Sequence, residues 1–128
     1  MPARHHRVTR GEDYRRIVRN GNRVGGAFCI TYAVSRALPD EQDPMLKRQD
    51  PARFGYIVSK AVGNAVTRNL VRRRMKSITD AMLQDGMTGF DIVFRALPAA
   101  AAATYSELEQ GMQKAVSRLN DRKQQHAP

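Results

Sequence analysis

A short basic segment carries the residue types best suited to binding phosphate groups. Arg68, Arg72 and Lys76 follow one another at intervals of four residues, and Asn69 and Arg73 lie beside them. At about 100° per helical residue, these side chains form one stripe, with neighbours about one turn apart. Like charges at this spacing repel one another, and a phosphate backbone would remove that repulsion. The stripe therefore predicts contact with RNA or DNA, although a solvated helix face has a similar composition.

The composition of the whole chain points to the same class of partner. Among 128 residues, Lys and Arg number 22 and Asp and Glu number 12, which gives a formal net charge of +10. Most of the basic residues are arginines, whose planar guanidinium groups bind phosphate oxygens in pairs. Hydrophobic residues make up 41%, enough for one core. We expect one RNA-binding domain over residues 1–128, with a flexible basic arm at 1–8 and a frayed tail at 120–128.

Several other classes of protein are disfavoured by what the sequence contains. The single cysteine, Cys29, excludes an internal disulfide framework and any cysteine-rich zinc site. Neither of the two longest uncharged stretches, residues 24–35 and the alanine-rich 96–106, is long enough to cross a bilayer, and no apolar segment follows the basic start. His5 and His6 have no third metal ligand nearby. We therefore expect a cytoplasmic protein with no metal site.

The hydrophobic periodicities supply the elements that must position the basic stripe. Apolar residues recur at helical spacing in three segments and alternate at strand spacing in three others. The first half of the chain is predicted to contain a helix from Gly11 to about Gly21, a strand from Phe28 to Val34 and a loop over 37–53. A strand from Phe54 to Ser59, a helix from Val66 to Leu83, a strand from Phe90 to Phe94 and a linker over 96–103 follow. The last helix begins at a capping box formed by Thr104 and Glu107. This pattern predicts an α+β fold, a small sheet packed with helices.

The stripe also belongs to a longer run that resembles a known family. Residues 55–73 read GYIVSKAVGNAVTRNLVRR, and this run is similar to the signature of the protein subunit of bacterial ribonuclease P. That signature has a strand ending in V-S-K-K and then G-N-A-V-x-R-N-R on the following helix. The resemblance extends over about residues 7–119. Three positions depart from the family pattern: Ala61 replaces the second lysine, Leu70 replaces the second arginine, and Val18 replaces the second aromatic residue of the first helix.

The resemblance implies a specific fold and activity. The family fold has the order α-β-β-β-α-β-α around a four-stranded sheet, with a left-handed βαβ crossover around the basic helix. The implied function is that of a non-catalytic subunit of an endoribonuclease that removes the 5′ leader from precursor tRNA. The implied partners are the catalytic RNA, which carries the chemistry with its Mg²⁺, and precursor tRNA with its leader. The resemblance implies no catalytic residue in the protein and no cofactor bound tightly by it. Neither a membrane nor an obligate protein partner is implied.

Two groups of candidate binding residues follow from the resemblance. The first group would dock on the catalytic RNA: Lys60, Asn64, Arg68, Asn69, Arg72, Arg73 and Lys76. The second group would line a cleft for the leader, where aromatic rings stack on unpaired bases: Tyr14, Arg15, Val18, Phe28 and Tyr32. Other roles stay open for three of these residues. Asn64 is also suited to capping the helix, and the rings of Tyr14 and Phe28 are also suited to packing in the core.

Three other functions compete with this interpretation. A ribosomal-type RNA-binding protein would share the basic helix but would need no exposed aromatic residues in a cleft. A DNA-binding regulator is disfavoured because no short helix and turn directly precede the basic helix. A protein-only nuclease is disfavoured because Asp80, Asp85 and Asp91 are scattered rather than clustered for two metals.

Overall fold

The computed structural model describes residues 7–8, 11–35 and 51–125, with side chains up to Leu119. Its main elements are α1 (Gly11–Asn20), β1 (Asn22–Gly25), β2 (Cys29–Ser35), β3 (Arg53–Ile57), α2 (Ala65–Gln84), β4 (Phe90–Ala96) and α3 (Tyr105–Gln125). A short 3-10 turn at Pro98–Ala101 interrupts the predicted linker. This order confirms the α-β-β-β-α-β-α expectation, and every predicted helix and strand is present and begins within one residue of its expected position.

The strands form one mixed sheet in the order β1-β2-β4-β3 within the described residues. β2 runs antiparallel to both neighbours, whereas β3 and β4 are parallel and are joined through α2. Strand β1 was not predicted, because only Val24 of its four residues is buried and one apolar residue produces no alternating pattern. The α+β class is thus confirmed, and the left-handed sense of the β3–α2–β4 crossover stays a prediction from the resemblance.

Alternation along the strands divides the core between the two faces of the sheet. Cys29, Phe54 and Phe94 belong to the larger cluster, which α2 and α3 cover. Tyr32 and Val93 belong to the smaller cluster, which Ile17 of α1 covers. Cys29 is therefore buried on the face opposite Tyr32, and its burial raises the pKa of the thiol to about 12.

Helix α2 has the termini and the buried face that its sequence predicts. Val71, Met75, Ile78 and Met82 are all buried, so the remaining faces stay available for charged side chains. The helix is followed by Gly86, whose φ of +91° lies in the left-handed region that favours glycine. Because the buried face is fixed by packing, the rotation of the basic stripe relative to the sheet is fixed as well.

Helix α3 begins with the predicted capping box. The Thr104 N–H donates to the Glu107 carboxylate at 2.9 Å, and the Glu107 N–H donates to the Thr104 hydroxyl at 3.1 Å. Tyr105 does not belong to the buried face of this helix. Its side chain is 38% exposed, and its hydroxyl lies 2.9 Å from that of Ser77 on α2. The helix also continues to Gln125, past the expected onset of fraying at residue 120.

The chain segment before α1 is partly built into the sheet. Arg7 forms a parallel bridge with Phe54, and the Val8 N–H donates to the Phe54 carbonyl at 2.9 Å. The expectation of a flexible arm over residues 1–8 is therefore wrong for these two residues, because Val8 is buried in the smaller cluster. Residues 1–6, with His5 and His6, residues 36–50 of the predicted loop, and residues 126–128 lie outside the described residues.

Candidate nucleic-acid interface

The stripe on α2 is assembled as its spacing predicts. Asn69, Arg72, Arg73 and Lys76 line one open groove of about 540 Å³, together with the exposed Val66. Arg72 Nη1 donates to Asn69 Oδ1 at 3.2 Å, so the amide orients one guanidinium. Asn69 and Arg73 are exposed, and the other two polar side chains are half-buried. The groove therefore presents several donors to one solvent-facing strip of a size that suits a phosphodiester backbone.

Positive charge is crowded at the end of this stripe. The pKa of Lys76 is lowered from its usual value, first by partial burial and then by the nearby charges of Arg7 and Arg72. One turn from Arg72 in the other direction, Arg68 is half-buried, and its Nε makes no hydrogen bond within the described residues. Polyanion binding would offset both the repulsion around Lys76 and the unsatisfied donor of Arg68.

Besides Arg68, two other predicted RNA-docking residues lie outside this groove. The side-chain oxygen of Asn64 accepts from the Thr67 N–H at 2.9 Å, so the capping role left open by the sequence is the one observed. Lys60 is exposed in the turn between β3 and α2. Leu70, at 37% exposure, faces solvent as its position on the helical wheel predicts. Arg74 does not replace the arginine missing there, because its guanidinium donates to the Ala103 carbonyl at 2.9 Å.

A second groove lies between α1 and β3. It has a volume of about 470 Å³ and is lined by Tyr14, Arg15, Val18, Arg19 and Ile57. A lining that combines apolar side chains with two arginines is suited to an unpaired base whose phosphates reach the guanidinium groups. Tyr14, Arg15 and Val18 were predicted for this role from the sequence. Arg19 repeats Arg15 one helical turn later and was identifiable on that ground, whereas Ile57 was not.

Tyr14 is held in this groove by the backbone of β3. Its hydroxyl accepts from the Tyr56 N–H at 3.2 Å. A Cβ added to Gly55 would lie 2.7 Å from Cζ of Tyr14, so the ring rests directly on the glycine. Gly55 therefore has a specific reason to lack a side chain, which is the close approach of an aromatic ring to the strand.

Two predicted cleft residues do not line this groove. Tyr32 is only 7% exposed and packs beneath α1 with Ile17, so its ring is covered rather than open to a base. Phe28 packs against the larger cluster and lines a different groove with Gly111 and Ala115 of α3. Placing Phe28 in the cleft was wrong because the residue precedes β2 in a bend, where strand alternation does not apply.

A buried carboxylate connects α1 to the sheet beside the groove. Asp91 on β4 is fully buried and accepts from Arg53 Nε at 3.0 Å and from Arg53 Nη2 at 2.8 Å. Arg16 of α1 donates to the same carboxylate at 3.2 Å. This network was missed because Asp91 and its two partners are far apart in the chain. It fixes the position of α1, and with it the width of the groove.

The donor chemistry of these surfaces does not suit a divalent cation. Mg²⁺ prefers oxygen ligands, whereas both grooves present mainly cationic nitrogen donors. Within the described ranges, no three His, Cys, Asp or Glu residues are grouped as metal ligands. In the same ranges, no helix is both long enough and apolar enough to cross a membrane.

Fold and surface together define a small α+β domain with a basic helix suited to polyanions. The family model for ribonuclease P matches residues 1–120. The chain is 44% identical over 118 residues to the ribonuclease P protein component of Clavibacter michiganensis subsp. michiganensis, and the match covers 92% of this chain and 96% of that protein. It is also 44% identical over 108 residues to the protein component from Arthrobacter sp. (strain FB24), with 84% of this chain and 72% of that one covered. The chain belongs to the ribonuclease P family.

Solved structures show the same fold. The ribonuclease P protein of Staphylococcus aureus superposes with a TM-score of 0.73 over 89% of this chain and 94% of that chain, at 22% sequence identity. The protein from Thermotoga maritima superposes with a TM-score of 0.70 over 88% and 96%, at 17% identity. At these identities the likeness is one of architecture, and the family assignment rests on the sequence matches.

Proposed function

We propose that this chain assists ribonuclease P in removing the 5′ leader of precursor tRNA by binding the catalytic RNA and the leader at separate surfaces. The observation that carries the proposal is the placement of the family-type residues Arg68, Asn69, Arg72 and Arg73. They lie along one stripe on α2, and three of them line a single open groove. Residues that served only to pack the core would be buried rather than lined up along a solvent-facing groove. The stripe therefore supports an RNA-docking role.

The α1 groove supports the second part of the proposal. Its lining joins Arg15 and Arg19 to apolar side chains, which favours single-stranded RNA over duplex because only unpaired bases can enter such a groove. A 5′ leader is single-stranded and reaches the protein as an extension of the tRNA. In this account the protein raises the affinity for leader-bearing substrate, and sequence readout is weak because stacking does not distinguish bases strongly.

The chemistry itself is assigned to the RNA and its bound Mg²⁺. The described surfaces supply cations that position phosphates, and the one fully buried carboxylate of the described residues, Asp91, is engaged by Arg53 and Arg16. The protein's contribution is therefore electrostatic: it neutralises phosphate repulsion between RNA subunit and substrate, so that less Mg²⁺ is needed for assembly. No cofactor held tightly by the protein enters the proposal.

A reconstitution assay tests the proposed function. Bacterial ribonuclease P RNA and a precursor tRNA are mixed at low, near-physiological Mg²⁺ with and without the chain, and cleavage at the mature 5′ end is followed. We expect cleavage only with the chain, and much less with the variant Arg68→Ala/Arg72→Ala. If the folded chain gave no stimulation while the RNA alone cleaved at high Mg²⁺, the alternative of a ribosomal-type RNA-binding protein would replace this proposal.

A further inference from the structure

The segment before α1 places a basic residue beside the α2 stripe. Val8 is buried among Ile17 and Tyr32, on the face of the sheet that α1 covers. Successive side chains of an extended segment point to opposite sides, so Arg7 points toward the side of α2. Tyr56 and Lys76 lie on that side of the sheet, and the positive charge of Arg7 interacts electrostatically with both side chains.

The distance between this segment and α2 is set by direct contacts. The Val8 N–H bond to Phe54 fixes the segment along the edge of β3. One pleat further along β3, the hydroxyl of Tyr56 lies 2.6 Å from the hydroxyl of Thr79 on α2. Lys76 precedes Thr79 by about one helical turn. The Tyr56–Thr79 contact therefore brings the edge of β3, with the segment paired to it, to the turn of α2 that carries Lys76.

The resulting cluster carries a surplus of positive charge. Arg7, Arg72 and Lys76 contribute three cations, and Asp80 contributes one negative charge to the same side. Arg7 is exposed, and Lys76 is held partly out of water, where repulsion from its two neighbours is felt more strongly. Such a cluster is relieved by a phosphate group, to which the arginine forks and the ammonium group all donate.

We propose that Arg7, Arg72 and Lys76 form one phosphate-binding site, through which bound RNA crosses from α2 to the edge of β3. The inference rests on the proposed function and extends its RNA-docking surface beyond the helix that carries the family motif. It also gives Arg7 a role that its position in a basic arm would not require. Its backbone is fixed by the sheet, so the conformational entropy cost of binding through its side chain is small.

The test measures the affinity of the full-length chain for bacterial ribonuclease P RNA over a series of salt concentrations. Removing the interaction with one phosphate is expected to lower the slope of log affinity against log salt by about 0.7–0.9. We expect this change for Arg7→Gln, and no change for Arg118→Gln, an exposed arginine on α3. Arg7→Lys should keep the slope, because it keeps the charge, and this rescue separates a binding role from a role in folding.

A double variant determines whether the cations share one phosphate. If they do, Arg7→Gln/Lys76→Gln should lower the affinity by less than the product of the two single-variant factors. The proposal would be overturned if Arg68→Ala/Arg72→Ala flattened the salt dependence while Arg7→Gln left it unchanged, and the proposed function would then still stand. If neither variant altered the slope, the RNA-docking role of α2 would fail and the inference with it.

Discussion

The α2 stripe and the α1 groove are two basic surfaces of one domain, but they are assembled by different kinds of contact. The stripe comes from a single helix, and its residues are neighbours because the helix forms. The groove joins Tyr14 and Val18 of α1 to Ile57 of β3, so it exists only if α1 is seated correctly on the sheet. The stripe should therefore survive tertiary perturbations that abolish the groove.

Removal of the buried carboxylate that ties α1 to the sheet should lower the free energy of unfolding more than any other substitution considered. Asp91→Ala leaves Arg53 and Arg16 partly buried without their shared anion, and we expect the free energy of unfolding to fall by about 3 kcal/mol. Urea denaturation measures this change. As a control, Asp85→Ala removes an exposed carboxylate after α2 and should stay within about 0.5 kcal/mol of the parent. Equal decreases in the two variants would mean that the network does not hold α1.

Substitution of one glycine should damage the groove and leave the stripe intact. Gly55→Ala forces Tyr14 off the strand, since the new Cβ would lie 2.7 Å from its ring, and we expect a cost of about 2 kcal/mol. Gly25→Ala is the matched control, because nothing lies within 4 Å of its added Cβ. We expect Gly55→Ala to reduce the preference for leader-bearing tRNA in a filter-binding assay. An unchanged preference would show that Tyr14 does not contribute to a leader site.

Removal of two stripe cations should affect RNA docking without affecting the groove. Arg68→Ala/Arg72→Ala should weaken binding of ribonuclease P RNA by about tenfold, equivalent to about 1.4 kcal/mol. The salt slope should fall by about 0.9 for each phosphate that the protein no longer neutralises. Arg74→Ala is the control on the same helix, since that arginine bonds Ala103 rather than facing the groove. If Arg74→Ala weakened binding equally, net charge rather than the stripe would explain the affinity.

The smallest expected effect lies outside both surfaces. Thr104→Ala removes the N-terminal half of the capping box and should lower the free energy of unfolding by about 1 kcal/mol. Binding of the RNA subunit and preference for leader-bearing tRNA should both stay unchanged when measured on folded protein. A change in either would show that modest destabilisation alone alters binding, and the comparison of the two surfaces would then need stability-matched variants.

The same division explains what the sequence could predict. Helix α2, its buried face and its basic stripe depend on a 3.6-residue period and on capping at Asn64, which are local properties. The exposure of Leu70 likewise follows from its position on the helix relative to the buried face. The class and order of the fold followed from periodicity together with a specific motif.

The errors fall where distant parts of the chain meet. Tyr32 and Phe28 are both aromatic and lie in or next to β2, yet one is covered by α1 and the other packs toward α3. Both residues fit one alternating pattern in the sequence, and the bend that turns Phe28 away is visible only in the structure. The Arg16–Asp91 bond and the pairing of Val8 with Phe54 likewise join residues whose proximity only the tertiary fold creates.

If the α2 stripe and the α1 groove bind two different parts of the RNA, changes in the two surfaces should alter two different affinities of the reconstituted ribonucleoprotein. The groove variant is Arg15→Gln/Arg19→Gln, and the stripe variant is Arg68→Ala/Arg72→Ala. For each variant at saturating protein, the affinities for leader-bearing and mature tRNA would be measured. The affinity of each variant for the RNA subunit would be measured separately. The account predicts that the groove variant shows about a tenfold smaller preference for the leader and keeps its affinity for the RNA subunit, and that the stripe variant does the reverse. A proportional decrease of both properties in both variants would contradict the account and indicate one diffuse basic surface.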